Sequence, residues 1–188
     1  MNWDNYINTH PYYTPEVNEE YKKSLVDFLT HFKIKYSKSK CLEIGAGHGI
    51  YTTILASIFK HITATEPNEI LYKHLVNLKL PNVETINQSA EKVLLTDVKY
   101  DMIILMNVFF LLSDKKKVLK KFKKLLKPNG YILIMEPIKF IKFNKENDKT
   151  NKLMMETVDT IYKSNDFKIL YNGIVLPNLM CYLLQLKK

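Results

Sequence analysis

Short apolar runs alternate along the chain with longer stretches in which apolar residues recur at roughly three- to four-residue spacing. The short runs predict strands and the longer stretches predict amphipathic helices. Their alternation is typical of a parallel sheet covered by helices on both faces. Strands are predicted at 40–44, 61–66, 83–87, 101–106 and 131–136. The helices predicted between them are Ile50–Phe59, Asn68–Leu78 and Ser113–Leu126, with stops at Pro81, Pro128 and Gly130.

The two ends of the chain add further elements to this pattern. Thr14 is a good helix N-cap and Pro15 suits a first turn, so a helix is predicted to end near 31–33. After Pro137, residues 138–150 have the polar character of a loop, and a helix follows near Lys152–Ser164. The last two strands are predicted as an antiparallel pair, about Lys168–Tyr171 and Met180–Leu186, joined by turn residues at Asn172-Gly173 and Pro177-Asn178.

The length of 188 residues suits one domain with a full core, so a single domain is predicted over 1–188. Within it, residues 1–35 form an N-terminal arm and helix, and 40–137 form the central sheet unit. Residues 138–188 supply a loop beside the binding cleft, a helix and the closing strands. The lysine- and serine-rich segment 35–40 is expected to separate the arm from the sheet.

The formal net charge of +9 comes entirely from lysine, because the chain has no arginine. Specific phosphate and guanine contacts favour the planar arginine fork, so this composition argues against nucleic acid as a partner. Eight lysines between 115 and 127 surround an apolar stripe. Their basic face is interpreted as the solvated side of a helix, with an RNA or membrane patch as the alternative, although no aromatic residues for stacking bases are interleaved.

No apolar run approaches the length of a membrane span, and the first residues lack the basic and apolar regions of a secretory signal. The expected location is therefore the cytoplasm, with no membrane partner. Cys41 and Cys181 fall in predicted strands, and neither belongs to a Cys/His spacing that would bind zinc. No metal site is expected.

The segment Cys41–Tyr51 combines a short apolar strand, a carboxylate at Glu43 and glycines at alternate positions. Glycine lets backbone approach a ligand closely because it has no Cβ and readily takes positive φ, and the helix that follows offers unpaired N–H groups. The loop is thus suited to a nucleotide-sized ligand. It is not the dinucleotide pattern G-x-G-x-x-G, since Ile50 occupies the third glycine position counted from Gly45.

The pattern of Glu43, Gly45, Gly47 and Gly49 resembles motif I of the class I S-adenosylmethionine-dependent methyltransferases. The resemblance implies a Rossmann-like, doubly wound and mostly parallel seven-stranded sheet with helices on both faces, here with an N-terminal helical arm. It also implies S-adenosylmethionine as cofactor and S-adenosylhomocysteine as product. Glu43, Gly45, Ala46, Gly47 and Gly49 would then contact the cofactor.

Glu66 closes the second predicted strand, where a carboxylate can accept hydrogen bonds from both ribose hydroxyls of a nucleotide. In the family this position holds the ribose, and Pro67 beside it joins the proposed cofactor residues. The alternative is an acid that complements the dipole of the next helix.

Further matches follow in the expected order. Ser89, Ala90 and Glu91 stand where the family holds the adenine edge, although Ser89 replaces the common Asp and could simply cap a helix. Asp101–Met106 running into Asn107 resembles motif IV, which adds Asn107 to the cofactor residues. Leu125–Pro137 resembles the family's turn and fifth strand.

Candidates for a catalytic base are His10 and Tyr13 in the aromatic arm, because the arm of small relatives often folds over the methyl donor. Tyr12, Glu136 and His48 are further candidates. His48 could instead fill the loop, and Glu136 could bind water or a backbone group at a strand end.

The sequence therefore predicts a methyltransferase acting on a small-molecule acceptor, mainly by positioning it for in-line displacement. The aromatic N-terminal arm and residues 138–150 would form the acceptor pocket. The alternatives are an RNA or protein methyltransferase that uses the lysine-rich surface, a non-catalytic module that binds the cofactor, and a nicotinamide-dependent reductase.

Overall fold

The computed structural model of the chain describes residues 15–93, 97–137, 148–176 and 179–187. Its strands form one seven-stranded sheet in the order β3-β2-β1-β4-β5-β7-β6. The strands are β1 (Lys40–Ile44), β2 (His61–Thr65), β3 (Val83–Ile86), β4 (Tyr100–Met106), β5 (Leu126–Pro137), β6 (Phe167–Leu176) and β7 (Leu179–Leu186). The first five are parallel, and β7 pairs antiparallel with both β5 and β6. The predicted fold class is confirmed.

Helices cover both faces of this sheet. The described helices are α1 (Pro15–His31), α2 (Ile50–Ala56), α3 (Glu69–Asn77), α4 (Lys115–Leu125) and α5 (Asp148–Tyr162). Short 3-10 helices occupy Tyr36–Lys38 and Phe109–Leu111. Each predicted helix is therefore present, with ends that differ from the predicted ones by a few residues.

Alternating side chains of β4 enter two separate apolar clusters. Met102 and Ile104 pack in the cluster that includes residues of α1, α2 and α3. Ile103 and Leu105 pack in the cluster that includes residues of α4 and α5. A strand that is buried on both faces is apolar at nearly every position. The segment Asp101–Met106 accordingly has no polar side chain after its first residue.

The N-terminal helix α1 belongs to the first of these clusters. Its Leu25 and Leu29 are 3% and 0% exposed, and Phe28 meets the ring of Tyr171 on β6 edge to face at 5.3 Å between centroids. Residues 35–40 do lie between α1 and β1 along the chain, but α1 packs directly against the sheet. The apolar stripe of the helix is satisfied by the sheet itself.

The start of β5 differs from the sequence prediction by five residues. β5 begins at Leu126, which pairs with Tyr100, and the ladder shifts register before Met102 pairs with Tyr131. Pro128 and Gly130 thus lie inside an irregular strand rather than before a regular one.

The predicted turn at Asn172-Gly173 is wrong. Both residues lie within β6, where Asn172 pairs with Tyr182 and Gly173 pairs with Cys181. Register shifts on either side accommodate the glycine, and pairing along β7 overrides the local turn preference. The other predicted turn, at 177–178, lies outside the described residues, but Leu176 and Leu179 on either side of it are paired.

Among the helices of the described residues, none is both long and apolar enough to cross a membrane. The same part of the chain contains no group of three or more His, Cys, Asp or Glu side chains arranged to hold a metal ion.

Candidate functional site

The loop between β1 and α2 turns through three glycines with positive φ. The φ angles are 70° at Gly45, 60° at Gly47 and 96° at Gly49. Side chains with a Cβ rarely adopt this region, so the backbone path depends on glycine. The loop leaves β1 at the carboxyl end of the parallel strands, which is where open α/β sheets bind ligands.

The three glycines differ in what surrounds them. A Cβ added at Gly45 would lie 2.6 Å from the Val108 side chain, and one added at Gly49 would lie 2.2 Å from Leu78. At Gly47 an added Cβ would meet no atom of the described residues within 4 Å. Gly45 and Gly49 are therefore required by packing, whereas the backbone at Gly47 faces open space that a ligand can enter.

Glu66 follows β2 directly and joins the glycine loop to the next helix. Its side chain is buried, with Oε2 accepting the Gly47 N–H at 2.8 Å and Oε1 accepting the Asn68 N–H at 2.8 Å. Asn68 in turn caps α3 by accepting the N–H groups of Ile70 and Leu71. An ionised carboxylate has about four acceptor sites, so Glu66 retains about two for a ligand. Pro67 beside it is exposed.

Glu43 lies beneath the loop rather than on its surface. The side chain is 1% exposed, and Oε2 accepts a hydrogen bond of 2.6 Å from the Thr52 hydroxyl on α2. Burial raises the pKa of Glu43 to about 7, with a further contribution from the negative charge of Glu66 and an opposing one from the Thr52 hydrogen bond. Its observed contact ties β1 to α2, so Glu43 supports the loop from inside the core.

Ser89, Ala90 and Glu91 follow β3 in a turn, in which Ser89 O accepts the N–H groups of Lys92 and Val93. Ala90 is buried, and the Glu91 carboxylate accepts both the N–H and the hydroxyl of Ser113. Partial burial raises the pKa of Glu91, but hydrogen bonds from its own backbone, Ser89 and Ser113 outweigh it and lower the pKa overall. The observed role of Glu91 is thus to join this turn to the segment after β4.

Asn107 directly follows β4 and has an unusual backbone conformation. Its φ is 60°, and its N–H donates to Met135 O at 2.7 Å, continuing the ladder between β4 and β5. The side-chain Oδ1 is buried and has no hydrogen-bond partner in the part of the chain that the structure describes. Buried polar atoms are normally paired, so this oxygen is a place where a ligand donor would be accommodated.

Glu136 ends β5 and is fully buried. Its Oε1 accepts the Phe110 N–H at 3.3 Å, while Oε2 has no hydrogen-bond partner among the described residues. Burial raises the pKa of Glu136 to about 8, opposed by the backbone N–H groups of Phe110 and Phe109 and by the positive charge of Lys115. Sequence reasoning named Glu136 as a candidate base but missed its bond to the loop after β4. A carboxylate closing an apolar strand was the available signal.

Of the remaining candidates for a catalytic base, the structure describes only His48. His10, Tyr12 and Tyr13 lie outside the described residues. His48 is half-buried in the glycine loop. Burial lowers the pKa of His48, and His74 adds to this effect, so the imidazole stays neutral at neutral pH.

Comparison with known families matches a family model described as a methyltransferase domain to residues 14–160. This span covers α1, the glycine loop, β1–β5 and most of α5. It therefore contains all the cofactor-binding candidates named above.

A curated relative is the polyketide synthase-nonribosomal peptide synthetase ffsA of Aspergillus flavipes, 26% identical over 156 residues. The match covers 72% of this chain and 4% of that protein. The chain thus spans only a small part of the length of the curated relatives it matches.

Two solved structures share the fold. A SAM-dependent methyltransferase from Aquifex aeolicus superimposes with a TM-score of 0.71 at 20% identity, covering 86% of this chain and 89% of that one. The N-methyltransferase NodS from Bradyrhizobium japonicum WM9, in complex with S-adenosyl-L-homocysteine, gives a TM-score of 0.69 at 13% identity, covering 93% and 89%. With the family model extending over most of the chain, the protein belongs to the methyltransferase-domain family.

Proposed function

We propose that this chain transfers the methyl group of S-adenosylmethionine to a small-molecule acceptor. The observation that carries the proposal is the arrangement at Gly47. Its backbone is open on one side and is bound on the other by the Glu66 carboxylate at 2.8 Å. A loop that is fixed by a hydrogen bond on one side and exposes its backbone on the other is suited to close contact with a nucleoside.

The residues present fit this cofactor. Glu66 keeps acceptor sites for two ribose hydroxyls, and Asn107 presents a buried oxygen that no described residue bonds. Glu43 supports the loop from below. The residues proposed to hold the cofactor, directly or through that support, are Glu43, Gly45, Ala46, Gly47, Gly49, Glu66, Pro67, Ser89, Ala90, Glu91 and Asn107.

When bound, the cofactor supplies a sulfonium-activated methyl group, so the chain's own task is to orient the acceptor and exclude water. Well-oriented reactants can lower a barrier by roughly 7 to 11 kcal/mol. A base is required only for an acceptor that is protonated at the working pH. We keep His10 and Tyr13 as the proposed catalytic residues, with Glu136 as a further candidate near the end of β5.

A small acceptor is supported by how the lysines of α4 are used. Lys115 donates to Leu112 O, and Lys121 donates to the carbonyls of Glu91 and Val93. Lys123 pairs with Asp166. These side chains hold the protein together, which reduces the basic surface left for RNA. The similarity to a segment of a polyketide synthase-nonribosomal peptide synthetase also favours a small acceptor.

Titration calorimetry with S-adenosylmethionine and S-adenosylhomocysteine tests the cofactor part of the proposal. Glu66→Gln removes the charge and one acceptor oxygen, so both ligands should bind roughly 10- to 100-fold more weakly. Glu69→Gln is the matched control, because this nearby carboxylate is exposed and pairs only with the exposed Lys73 among the described residues. Absence of binding by the folded wild-type protein would contradict the proposal.

The acceptor class is tested by supplying tritium-labelled S-adenosylmethionine with separate small-molecule, RNA and protein fractions. Label should appear in the small-molecule fraction. Label in RNA, lost at high salt and in the triple variant K116E/K120E/K124E, would instead support the RNA methyltransferase. Tight cofactor binding with no labelled product in any fraction would support the non-catalytic module.

A further inference from the structure

A cavity of about 500 Å³ lies between the end of α1 and the start of β1. It is lined by Thr30 and residues 33–38, and we call it the α1–β1 cavity. Its volume falls within the range of about 300 to 1,000 Å³ that is typical of small-molecule sites. The cavity precedes β1 whereas the glycine loop follows it, so the length of that strand, roughly 16 Å, separates the cavity from the proposed cofactor site.

The charges that line the cavity all have the same sign. Lys33, Lys35 and Lys38 contribute three ammonium groups, their side chains are exposed, and no lining residue is acidic. Among the residues that the structure describes, none of these three lysines forms an ion pair. A concave surface lined by charges of one sign raises the local concentration of counter-ions. The cavity is therefore suited to an anion.

The carboxylate of Asp101, beside β1 at the same edge of the sheet, is already used elsewhere. Its Oδ2 accepts the Lys40 N–H at 2.8 Å, and both of its oxygens accept Lys127 Nζ at 2.8 Å. The charge of Asp101 is thus compensated by Lys127, which does not line the cavity. The three lysines of the cavity keep their positive charge available for a ligand.

Hydrogen bonds fix the backbone that carries these lysines. Lys33 has a φ of 55°, and the Ile34 N–H donates to Leu29 O at 3.0 Å, which turns the chain at the end of α1. The Ser39 hydroxyl donates to Lys35 O. Ile34 is buried in the apolar cluster that contains α1. Because the turn is held in place without a ligand, little backbone ordering is required when one binds.

Hydroxyl groups add further donors to the lining. The hydroxyls of Thr30 and Tyr36 lie 3.5 Å apart, and Ser37 is exposed between two of the lysines. A hydroxyl can donate one hydrogen bond, and each lysine ammonium can donate three. The lining therefore offers many donors and three positive charges to a ligand that is rich in acceptor oxygens.

We propose that the α1–β1 cavity binds a small ligand through a phosphate group. A phosphate monoester carries about two negative charges and three acceptor oxygens, whereas a carboxylate has one charge and two oxygens. Lysine binds phosphate as a point charge and does not need the planar geometry of arginine. The site is separate from the proposed function and does not depend on it.

The test titrates inorganic pyrophosphate into the ¹⁵N-labelled wild-type protein at low ionic strength. Pyrophosphate should shift the amide resonances of residues 30–38, with a dissociation constant of about 1 mM or less. The variant K33Q/K35Q/K38Q should bind at least about tenfold more weakly, because three ammonium groups are lost from one cavity. The matched control K116Q/K117Q/K120Q removes the same charge from exposed positions of α4 and should change the affinity by less than about twofold.

Lys38→Glu provides a second measurement if the triple variant does not fold. Lys38 is exposed at the end of a 3-10 helix, and reversing its charge should also weaken pyrophosphate binding. The phosphate group can belong to a free metabolite or to a phospholipid headgroup. Binding of glycerol phosphate would support the first source. Sedimentation with vesicles of phosphatidylcholine and phosphatidic acid, but not with pure phosphatidylcholine, would support the second.

Equal weakening in the two triple variants would show that pyrophosphate responds only to the overall positive charge, and would overturn the assignment. Absence of shifts at residues 30–38 in the wild-type protein would also overturn it. S-adenosylhomocysteine should bind K33Q/K35Q/K38Q and the wild-type protein equally, since the cavity lies at the opposite end of β1 from the glycine loop. Failure of this inference would therefore leave the proposed function intact, and failure of cofactor binding would leave the phosphate site intact.

Discussion

Gly47 is the residue of the loop where substitution should separate ligand binding from folding. Gly47→Ala places a methyl group in open space, so its structural cost is the strain of an alanine at φ of 60°, about 1 to 2 kcal/mol. The methyl group would occupy the space proposed for the cofactor. We expect S-adenosylhomocysteine to bind at least about tenfold more weakly in calorimetry, with a folded protein by circular dichroism.

Gly49→Ala is the matched comparison, because its methyl group would lie 2.2 Å from Leu78 in the apolar packing behind the loop. This variant should lose several kcal/mol of unfolding free energy in urea, since overpacking adds to backbone strain. Equal stability losses in the two variants would show that Gly47 is also a packing position.

Glu43 predicts a specific dependence of stability on pH. Its folded pKa of about 7 exceeds the ordinary value of 4.5, so between these values the folded state holds a proton that the unfolded state has released. The free energy of unfolding should therefore fall by about 3 kcal/mol as pH rises through this window. Glu43→Gln should remove that loss, measured as a smaller difference between urea midpoints at about pH 5 and about pH 8.

The exposed Glu20 supplies the control for this measurement, because Glu20→Gln changes the same charge without a buried environment. Its pH dependence should match that of the wild type. A Glu43→Gln profile parallel to the wild-type profile would mean that Glu43 ionises in the folded protein without cost.

For single residues, the sequence predicted which positions form the loop better than it predicted which residues they contact. Glycine at alternate positions after a strand indicates a tight loop, and the structure shows three positive φ angles there. That Gly45 meets Val108 and Gly49 meets Leu78 depends on residues 63 and 29 positions away in the chain, which no local pattern contains. The sequence could not predict, for the same reason, that Asn107 Oδ1 and Glu136 Oε2 have no hydrogen-bond partner among the described residues.

The lysines of helix α4 make different contacts, although they are the same residue type on one helix. Lys121 donates to the carbonyls of Glu91 and Val93 at 2.7 and 2.8 Å, whereas Lys120 is exposed. Lys121→Met should cost about 2 kcal/mol of unfolding free energy, because two carbonyls lose a charged donor. Lys120→Met should change it by less than about 0.5 kcal/mol. Chemical denaturation of both variants provides the measurement, and equal effects would refute the distinction.

Sequence periodicity predicted α4 well because its apolar stripe has to meet the sheet, and Val118, Leu119 and Phe122 are indeed buried. It could not separate Lys121 from Lys120, since the partners of Lys121 belong to the segment after β3. The prediction of a turn at Asn172-Gly173 was wrong for the opposite reason. There the local signal was strong, but the pairing of a whole strand with β7 outweighed it.

Across the whole molecule, α1 connects the beginning of the described chain to the strand pair near its end. Phe28 and Phe32 both contact the ring of Tyr171, at 5.3 and 5.8 Å between centroids. Phe28→Ala should cost about 3 to 5 kcal/mol and expose α1 to hydrogen exchange before the central strands. Asp27→Ala, exposed on the same turn, should leave exchange unchanged.

If α1 and the strands exchanged together in Phe28→Ala, the helix would unfold only with the entire sheet. The sequence showed the apolar face of α1 but not its partner, because that partner lies more than a hundred residues away in β6. The parallel arrangement of the first five strands was predictable from alternation and family resemblance. The predicted single domain over 1–188 remains a prediction.

The antiparallel direction of β7 has a consequence for how such a protein can diversify. Because β7 runs opposite to β5, Leu179 at its start pairs with Pro137 at the end of β5, so Leu176 and Leu179 lie at the same edge of the sheet as Glu136. The proposed ribose contact lies on the other side of β1, at the end of β2. Insertions between β6 and β7 could therefore alter which acceptors are admitted while leaving recognition of the methyl donor intact, which gives evolution and engineering separate access to the two specificities.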